Sequence, residues 1–247
     1  MTALPHRLTT DRAPQLGLIV LQSDETIELD FRRLLPEKAE LLVSRIPSGA
    51  EVTPETLAAM EGDLARAASL FPQGVALASL GYACTSGAAQ IGPETVSDHL
   101  RAVHPGAEPT NPVIALIAAC RALGINRLAV LSPYIEPVSR KLFDRLDTAG
   151  IATPVFGSFE IADEARVARI DTASIIAAAT TLAEQGGFDA LFLSCTNLRT
   201  LDAIPALEAQ TGLPVLSSNL VLAWHMAQLA GIDTSATAPG RLLSSSG

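Results

Sequence analysis

The sequence predicts an α/β protein of two similar doubly wound lobes, each with a parallel sheet, related by pseudo-twofold symmetry across a cleft. Three observations predict it. Short apolar runs alternate with longer segments of helical periodicity. Those short runs are near-continuous rather than alternating, as in strands covered on both faces. A strand running into Cys-Thr-Ser/Asn and then a helix occurs at Cys84 and again at Cys195, 111 positions on in a chain of 247.

In chain order, residues 16–21, 41–46 and 75–80 read as strands of the first lobe, with a helix over 54–70. Thr53-Pro54 and Asn111-Pro112 have the form of a cap followed by proline in the first helical position, so a helix is expected over 111–123. Strands 128–131, 153–156 and 190–194 alternate with helices 134–149, 171–185 and 198–210. Gly124, Gly150, Gly186 and Gly212 stand where helices should stop. The second lobe is placed at 114–214. Strand 214–217 and the helix after it are expected to return to the first lobe, which then comprises 1–113 plus 215–247. Residues 232–247 read as a Ser/Thr-rich tail.

Composition narrows the function classes. With 48% hydrophobic and 17% charged residues, the chain can bury a sizeable core, which excludes general disorder. A net charge of −9 repels phosphate backbones and anionic lipid, so neither nucleic acid nor membrane is expected as a partner. No apolar run approaches the roughly 18 residues of a membrane span. Residues 1–15 carry no signal-type apolar stretch, and a cytoplasmic location is expected. Three cysteines make no disulfide framework and should be free thiols.

Those thiols carry the chemistry. Ligands of open parallel sheets bind beyond the carboxyl ends of the strands. There, backbone N–H groups and a helix start favour negative charge, which lowers a thiol pKa and also holds a carboxylate. Cys84-Thr85-Ser86 and Cys195-Thr196-Asn197 are therefore each expected to position a thiolate and cradle a substrate carboxylate. A single buried cysteine is commonly just a small hydrophobe. Recurrence at equivalent places in two lobes argues against that here, whereas Cys120, mid-helix, belongs to the core. His6, His99, His104 and His225 are scattered, and no metal-ligand spacing is present. Phosphate-binding and dinucleotide-binding glycine loops and Gly-x-Ser-x-Gly are missing, so no cofactor and no metal is expected. Arg166, Arg169 and Arg199 read as solvent-facing, and Lys38 and Lys141 as surface charges.

Gly81-Tyr-Ala-Cys-Thr-Ser-Gly87 and Leu193-Ser-Cys-Thr-Asn-Leu198 resemble the twin cysteine motifs of the aspartate/glutamate racemase superfamily, in its maleate isomerase and arylmalonate decarboxylase branch. Residues 17–28 resemble that branch's first-strand segment, Ser132-Pro133-Tyr134 its tyrosine loop, and residues 161–171 its loop before the next helix. The stretch Leu21-Gln-Ser-Asp-Glu-Thr-Ile-Glu28 also resembles the maleate-isomerase-like proteins encoded with ectoine-catabolic enzymes. The resemblance implies cofactor-independent chemistry in a cleft, with one sulfur on each face of the substrate. Cys84 would be the anionic nucleophile or base and Cys195 the protonated acid. Tyr134 would hydrogen-bond a substrate carboxylate or a developing enolate.

Two departures shape the substrate expected. The maleate isomerase pattern has asparagines where this chain has Asp24 and Glu164. An amide donates hydrogen bonds to a carboxylate, whereas an ionised acid only accepts. Acids there repel a dicarboxylate and attract ammonium or amidinium, and Asp24 could also act as base or orienter beside Cys84. The expected substrate is a small carboxylate with a positive nitrogen, such as ectoine, 5-hydroxyectoine or a diaminobutyrate derivative. Maleate isomerisation, malonate-type decarboxylation, a binding protein or sensor without turnover, and a thiol redox role are the competing readings. Association into a homo-oligomer is open, since residues 113–119 and 220–229 are apolar enough for an interface or for core.

Overall fold

The structure is a computed structural model, which describes residues 3–9, 12–235 and 239–244. In the first half the order is β1 (Gln15–Leu21), α1 (Ile27–Leu34), β2 (Glu40–Ile46), α2 (Pro54–Ala59), α3 (Leu64–Ser69), β3 (Leu77–Ala83), α4 (Thr85–Ile91), α5 (Pro93–Val103), β4 (Glu108–Thr110) and α6 (Pro112–Leu123). The second half runs β5 (Arg127–Ser132), α7 (Glu136–Thr148), β6 (Ala152–Ser158), α8 (Glu164–Val167), α9 (Thr172–Ala183), β7 (Ala190–Leu193), α10 (Ala203–Thr211), β8 (Val215–Ser217) and α11 (Ser218–Leu229). A last turn, α12 (Arg241–Ser244), buries Leu242 and Leu243.

Two four-stranded parallel sheets share one order, β2-β1-β3-β4 and β6-β5-β7-β8, which is the repeated two-lobe α/β architecture expected. Central strands β1 and β7 are buried along their whole length, so they read as unbroken apolar runs. Asn111 caps α6 by accepting from Val113 and Ile114 N–H, with Pro112 in the first turn. Gly124 ends that helix in the left-handed conformation, at φ 68°.

Three expectations need correction. Strand 215–217 does not return to the first lobe. It pairs in parallel with β7 at the edge of the second sheet. Only the helix after it crosses over: α11 packs on β3, α1 and α6, and Gly81 permits this, because a Cβ there would stand 2.5 Å from Met226 Sδ. The helix expected over 54–70 is broken by a tighter turn at Met60–Asp63. Strand β4 has no apolar run to betray it: Glu-Pro-Thr is only three residues at a sheet edge. Of the tail, residues 236–238 and 245–247 lie outside the described residues.

Candidate active site

Parallel sheets of this order send β1, β3, β5 and β7 toward the seam between the lobes, and the loops leaving them build the site. Cys84 stands directly after β3 and caps α4, its Sγ accepting the Gly87 N–H at 3.2 Å. Cys195 follows β7 by two residues, and its Sγ accepts the Asn197 N–H at 3.3 Å. Both sulfurs line one tight cavity of about 10 Å³. Thr85 and Ser86 join Cys84 on its first-lobe wall, Tyr134, Glu164 and Thr196 join Cys195 opposite, and Leu21, Val52 and Leu57 supply apolar surface. The one expected cysteine exception holds too: Cys120 is buried in α6, away from this cavity.

The second-lobe wall is a chain of hydrogen bonds. The Tyr134 hydroxyl lies 2.6 Å from Glu164 Oε1 and 3.1 Å from Cys195 Sγ. Asn197 Nδ2 donates to Glu164 Oε2 at 2.9 Å and to the Glu164 carbonyl at 3.0 Å. Asn197 Oδ1 accepts the Glu25 N–H at 2.9 Å. Its amide thus ties the lobes together from behind Glu164, so Asn197 braces the wall and is not part of it.

Asp24 also sits behind the cavity. Its Oδ1 accepts the N–H groups of Thr26 and Ile27, both at 2.8 Å, at the start of α1. Its Oδ2 is buried without a hydrogen-bond partner in the ligand-free protein. Arg45 fixes the loop that carries it, donating to the carbonyls of Leu21, Gln22 and Asp24. Arg169 pairs with Glu25 across the seam at 2.9 Å, and Arg199 lines the same outer groove; neither lines the sulfur cavity. Arg166 contributes its backbone N–H to the Asp163 cap of α8.

Burial dominates the electrostatics. Both carboxyls, Asp24 and Glu164, are pushed up by desolvation, and Asp24 and Asp163 raise Glu164 further. The expectation that helix starts would lower the thiol pKa values is not met. Burial pushes Cys84 up to about 12, with Glu164 and Asp24 adding to the rise, and the single Gly87 N–H does not offset it. Cys195 is raised still by the same causes, burial first and Glu164 second. Burial thus favours the neutral thiol at both sulfurs. Cys195 also has φ 135°, in a region that L residues rarely adopt.

Three buried polar groups were absent from the sequence reading. Ser218 Oγ accepts the Cys195 N–H at 3.0 Å and bonds Thr85 Oγ1 at 2.7 Å, so it links the two cysteine motifs. The Tyr82 hydroxyl, buried in the same first-lobe packing, donates to Met60 Sδ at 3.6 Å. Asn219 holds Asp30 and the Thr196 carbonyl. Signals existed for two of them. Tyr82 precedes Cys84 by two residues along an extended backbone, which puts both side chains on one face. Ser218 follows a strand's carboxyl end, where parallel sheets gather ligands. Gly87 serves this packing: a Cβ there would lie 2.6 Å from the Tyr82 hydroxyl and 2.9 Å from Cys84 Sγ.

Among the described residues no group of His, Cys, Asp and Glu side chains could hold a metal ion, and no helix is long and apolar enough to cross a membrane.

Comparison with known proteins agrees with this geometry. The arylmalonate decarboxylase family profile matches residues 100–243. Arylmalonate decarboxylase of Bordetella bronchiseptica is 33% identical over 88% of this chain and 91% of its own. A crystal structure of a cysteine-to-alanine variant of the maleate isomerase of Pseudomonas putida S16, with maleate, superposes with a TM-score of 0.87 at 28% identity, covering 95% of this chain and 99% of that one. The maleate cis–trans isomerase of Nocardia farcinica, as a cysteine-to-serine mutant with a covalently bound succinylcysteine intermediate, superposes at 0.82 with 25% identity, covering 94% and 98%. A match of this extent, on a fold whose two lobes each bring a cysteine to one cavity, means that the chain is an enzyme of the arylmalonate decarboxylase and maleate isomerase family.

Proposed function

We propose that this enzyme is a two-cysteine isomerase or racemase of a small amino-acid-like carboxylate, acting without a cofactor and serving ectoine or hydroxyectoine catabolism. The observation that carries the reading is that Cys84 and Cys195 line one small cavity from opposite lobes. For racemisation, the Cys84 thiolate takes the proton as the substrate C–H bond breaks. The Cys195 thiol then delivers a proton to the other face of the carbanion, leaving its own sulfur anionic until protons redistribute. Ser86 would supply a hydroxyl to the substrate carboxylate, while Thr85 and Thr196 line the same cavity with hydroxyls bonded to Ser218 and to the Ala83 carbonyl.

The acids support a nitrogen-bearing substrate. Glu164 forms part of the wall, and Asp24 lies behind it with one carboxylate oxygen unpaired. A dicarboxylate would face Glu164 directly, with the charge of Asp24 behind it. A substrate ammonium or amidinium would offset the charge of Glu164 and favour the Cys84 thiolate. Free thiols at all three cysteines suit a reducing, cytoplasmic setting.

A second reading has its own support. The 33% identical relative is an arylmalonate decarboxylase, and Leu21, Val52 and Leu57 give part of the cavity the apolar surface that could desolvate a departing carboxylate. Glu164 in the same wall weighs against it.

The deciding experiment incubates the protein in deuterium oxide with ectoine, 5-hydroxyectoine, diaminobutyrate derivatives, maleate and an arylmalonate. Deuterium entering a nitrogen-bearing substrate, and lost in both Cys84→Ser and Cys195→Ser, is the expected result. Turnover confined to maleate or the malonate would overturn the substrate class. Binding that survives both substitutions, with no exchange in the parent, would make the protein a sensor.

A further inference from the structure

The Tyr134 hydroxyl stands between two partners of unlike kind, Glu164 Oε1 at 2.6 Å, a carboxylate, and Cys195 Sγ at 3.1 Å. The other tyrosine, Tyr82, donates to the Met60 thioether at 3.6 Å.

A phenol has one proton to place. A carboxylate at 2.6 Å draws the Tyr134 proton toward itself, because charge-assisted hydrogen bonds are about twice as strong as neutral ones. The tyrosine oxygen then has only lone pairs to offer Cys195, so the 3.1 Å contact requires Cys195 to carry the proton. Around Cys84 the arrangement differs: its Sγ accepts the Gly87 N–H at 3.2 Å, and Tyr82, the tyrosine of that motif, donates to Met60 Sδ.

We infer that Glu164 is a positioning residue that sets the role of Cys195: acting through Tyr134, it holds Cys195 as the proton-bearing thiol. This rests on the two-thiol reading above and explains why near-symmetrical motifs take unlike parts. The charges of Glu164 and Asp24 act on both sulfurs, and each sulfur accepts one N–H, from Gly87 or Asn197, so these do not distinguish the two; the Tyr134 hydrogen bond does. When Cys195 gives its proton to substrate, the mobile chain lets it recover one by a balanced shift. A proton reaching Glu164 passes to the Tyr134 oxygen as the Tyr134 proton moves to sulfur.

The test needs no substrate, so its failure is separable from failure of the deuterium experiment. Second-order rates of alkylation by iodoacetamide, a neutral reagent, are measured cysteine by cysteine by mass spectrometry at pH 8, with buried Cys120 and circular dichroism as controls for folding. In Glu164→Gln the amide no longer claims the tyrosine proton, and Cys195 should react about 10-fold faster, a hydrogen bond to a charged sulfur being worth one pKa step or more. Removal of a negative charge alone would act in the same direction. The double variant Glu164→Gln/Tyr134→Phe separates the two: the gain should largely vanish. A gain that survives without the Tyr134 hydroxyl, or no gain at all, overturns the proposal for Glu164. Should Glu164→Gln not fold, the unmodified protein still answers, since Cys84 must react faster than Cys195, and the reverse order overturns the assignment.

Discussion

The backbone at Cys195 allows a measurement in which the molecule supplies its own control. Cys84 and Cys195 hold equivalent places in the two lobes, but φ is −149° at Cys84 and 135° at Cys195. Replacing either by Ala or by Gly removes the same sulfur. At Cys84 the glycine variant should be the less stable, since glycine loses about 0.5–1 kcal/mol in backbone freedom and forgoes about 0.8 kcal/mol from a buried methyl. At Cys195 the same penalties apply, but glycine also relieves a conformation that costs a side chain of order 1–3 kcal/mol. The gap between Gly and Ala should therefore shift toward Gly by roughly 1–3 kcal/mol at Cys195 relative to Cys84. Urea unfolding of the four variants reads it directly, and in a chain of this size the shift corresponds to roughly 2–10 °C in Tm. Equal gaps at the two positions, within about 0.5 kcal/mol, would show that the backbone at Cys195 stores no strain.

Further outcomes follow from buried polar groups. Ser218→Ala leaves the Cys195 N–H without an acceptor and removes the partner of the Thr85 hydroxyl, so it should cost about 2–4 kcal/mol in urea unfolding; a loss below about 0.5 kcal/mol would deny Ser218 its linking role. Asp30, 5% exposed, is pushed up by burial to about 6 from an ordinary 3.8. Between those values the folded chain holds a proton the unfolded chain has released, so stability falls as pH rises through the window. Asp30→Asn removes that charge, and its advantage over the parent should grow from near zero at pH 4 to of order 3 kcal/mol at pH 7; a difference that does not change with pH would contradict this. Glu25→Ala breaks an exposed pair with Arg169, and its cost in urea unfolding should be small and shrink with salt. A loss as large as that of Ser218→Ala, unmoved by salt, would mean that this pair, rather than backbone contacts, joins the lobes.

The two-lobe fold was legible because covered parallel strands leave dense apolar runs and because Cys84 and Cys195 punctuate equivalent strand ends. Strand 215–217 was assigned to the wrong sheet for a physical reason. Burial tells that a strand has neighbours and not which neighbours, and only the helix beyond it crosses the seam. At the site, residue types announced the cysteines, but not what surrounds them. The thiol pKa values went the other way because a helix start contributes one N–H while complete burial acts on the whole charge. Asn197 looked like a ligand-binding amide, and its partners turned out to be Glu25 and Glu164, 172 and 33 positions away. Such long-range pairings leave no local mark in a sequence.

The seam itself carries one more consequence. Val52 N–H donates to the Ala162 carbonyl and Glu164 N–H to the Ala50 carbonyl, at 3.0 and 3.1 Å, a short antiparallel clasp between a loop of each lobe. Val52 and Glu164 also line the cavity beside the sulfurs. Fastening and lining thus fall on the same few residues, so a substitution that loosens the clasp would be felt at the sulfurs as well, as an oily contact and an acidic one lost together.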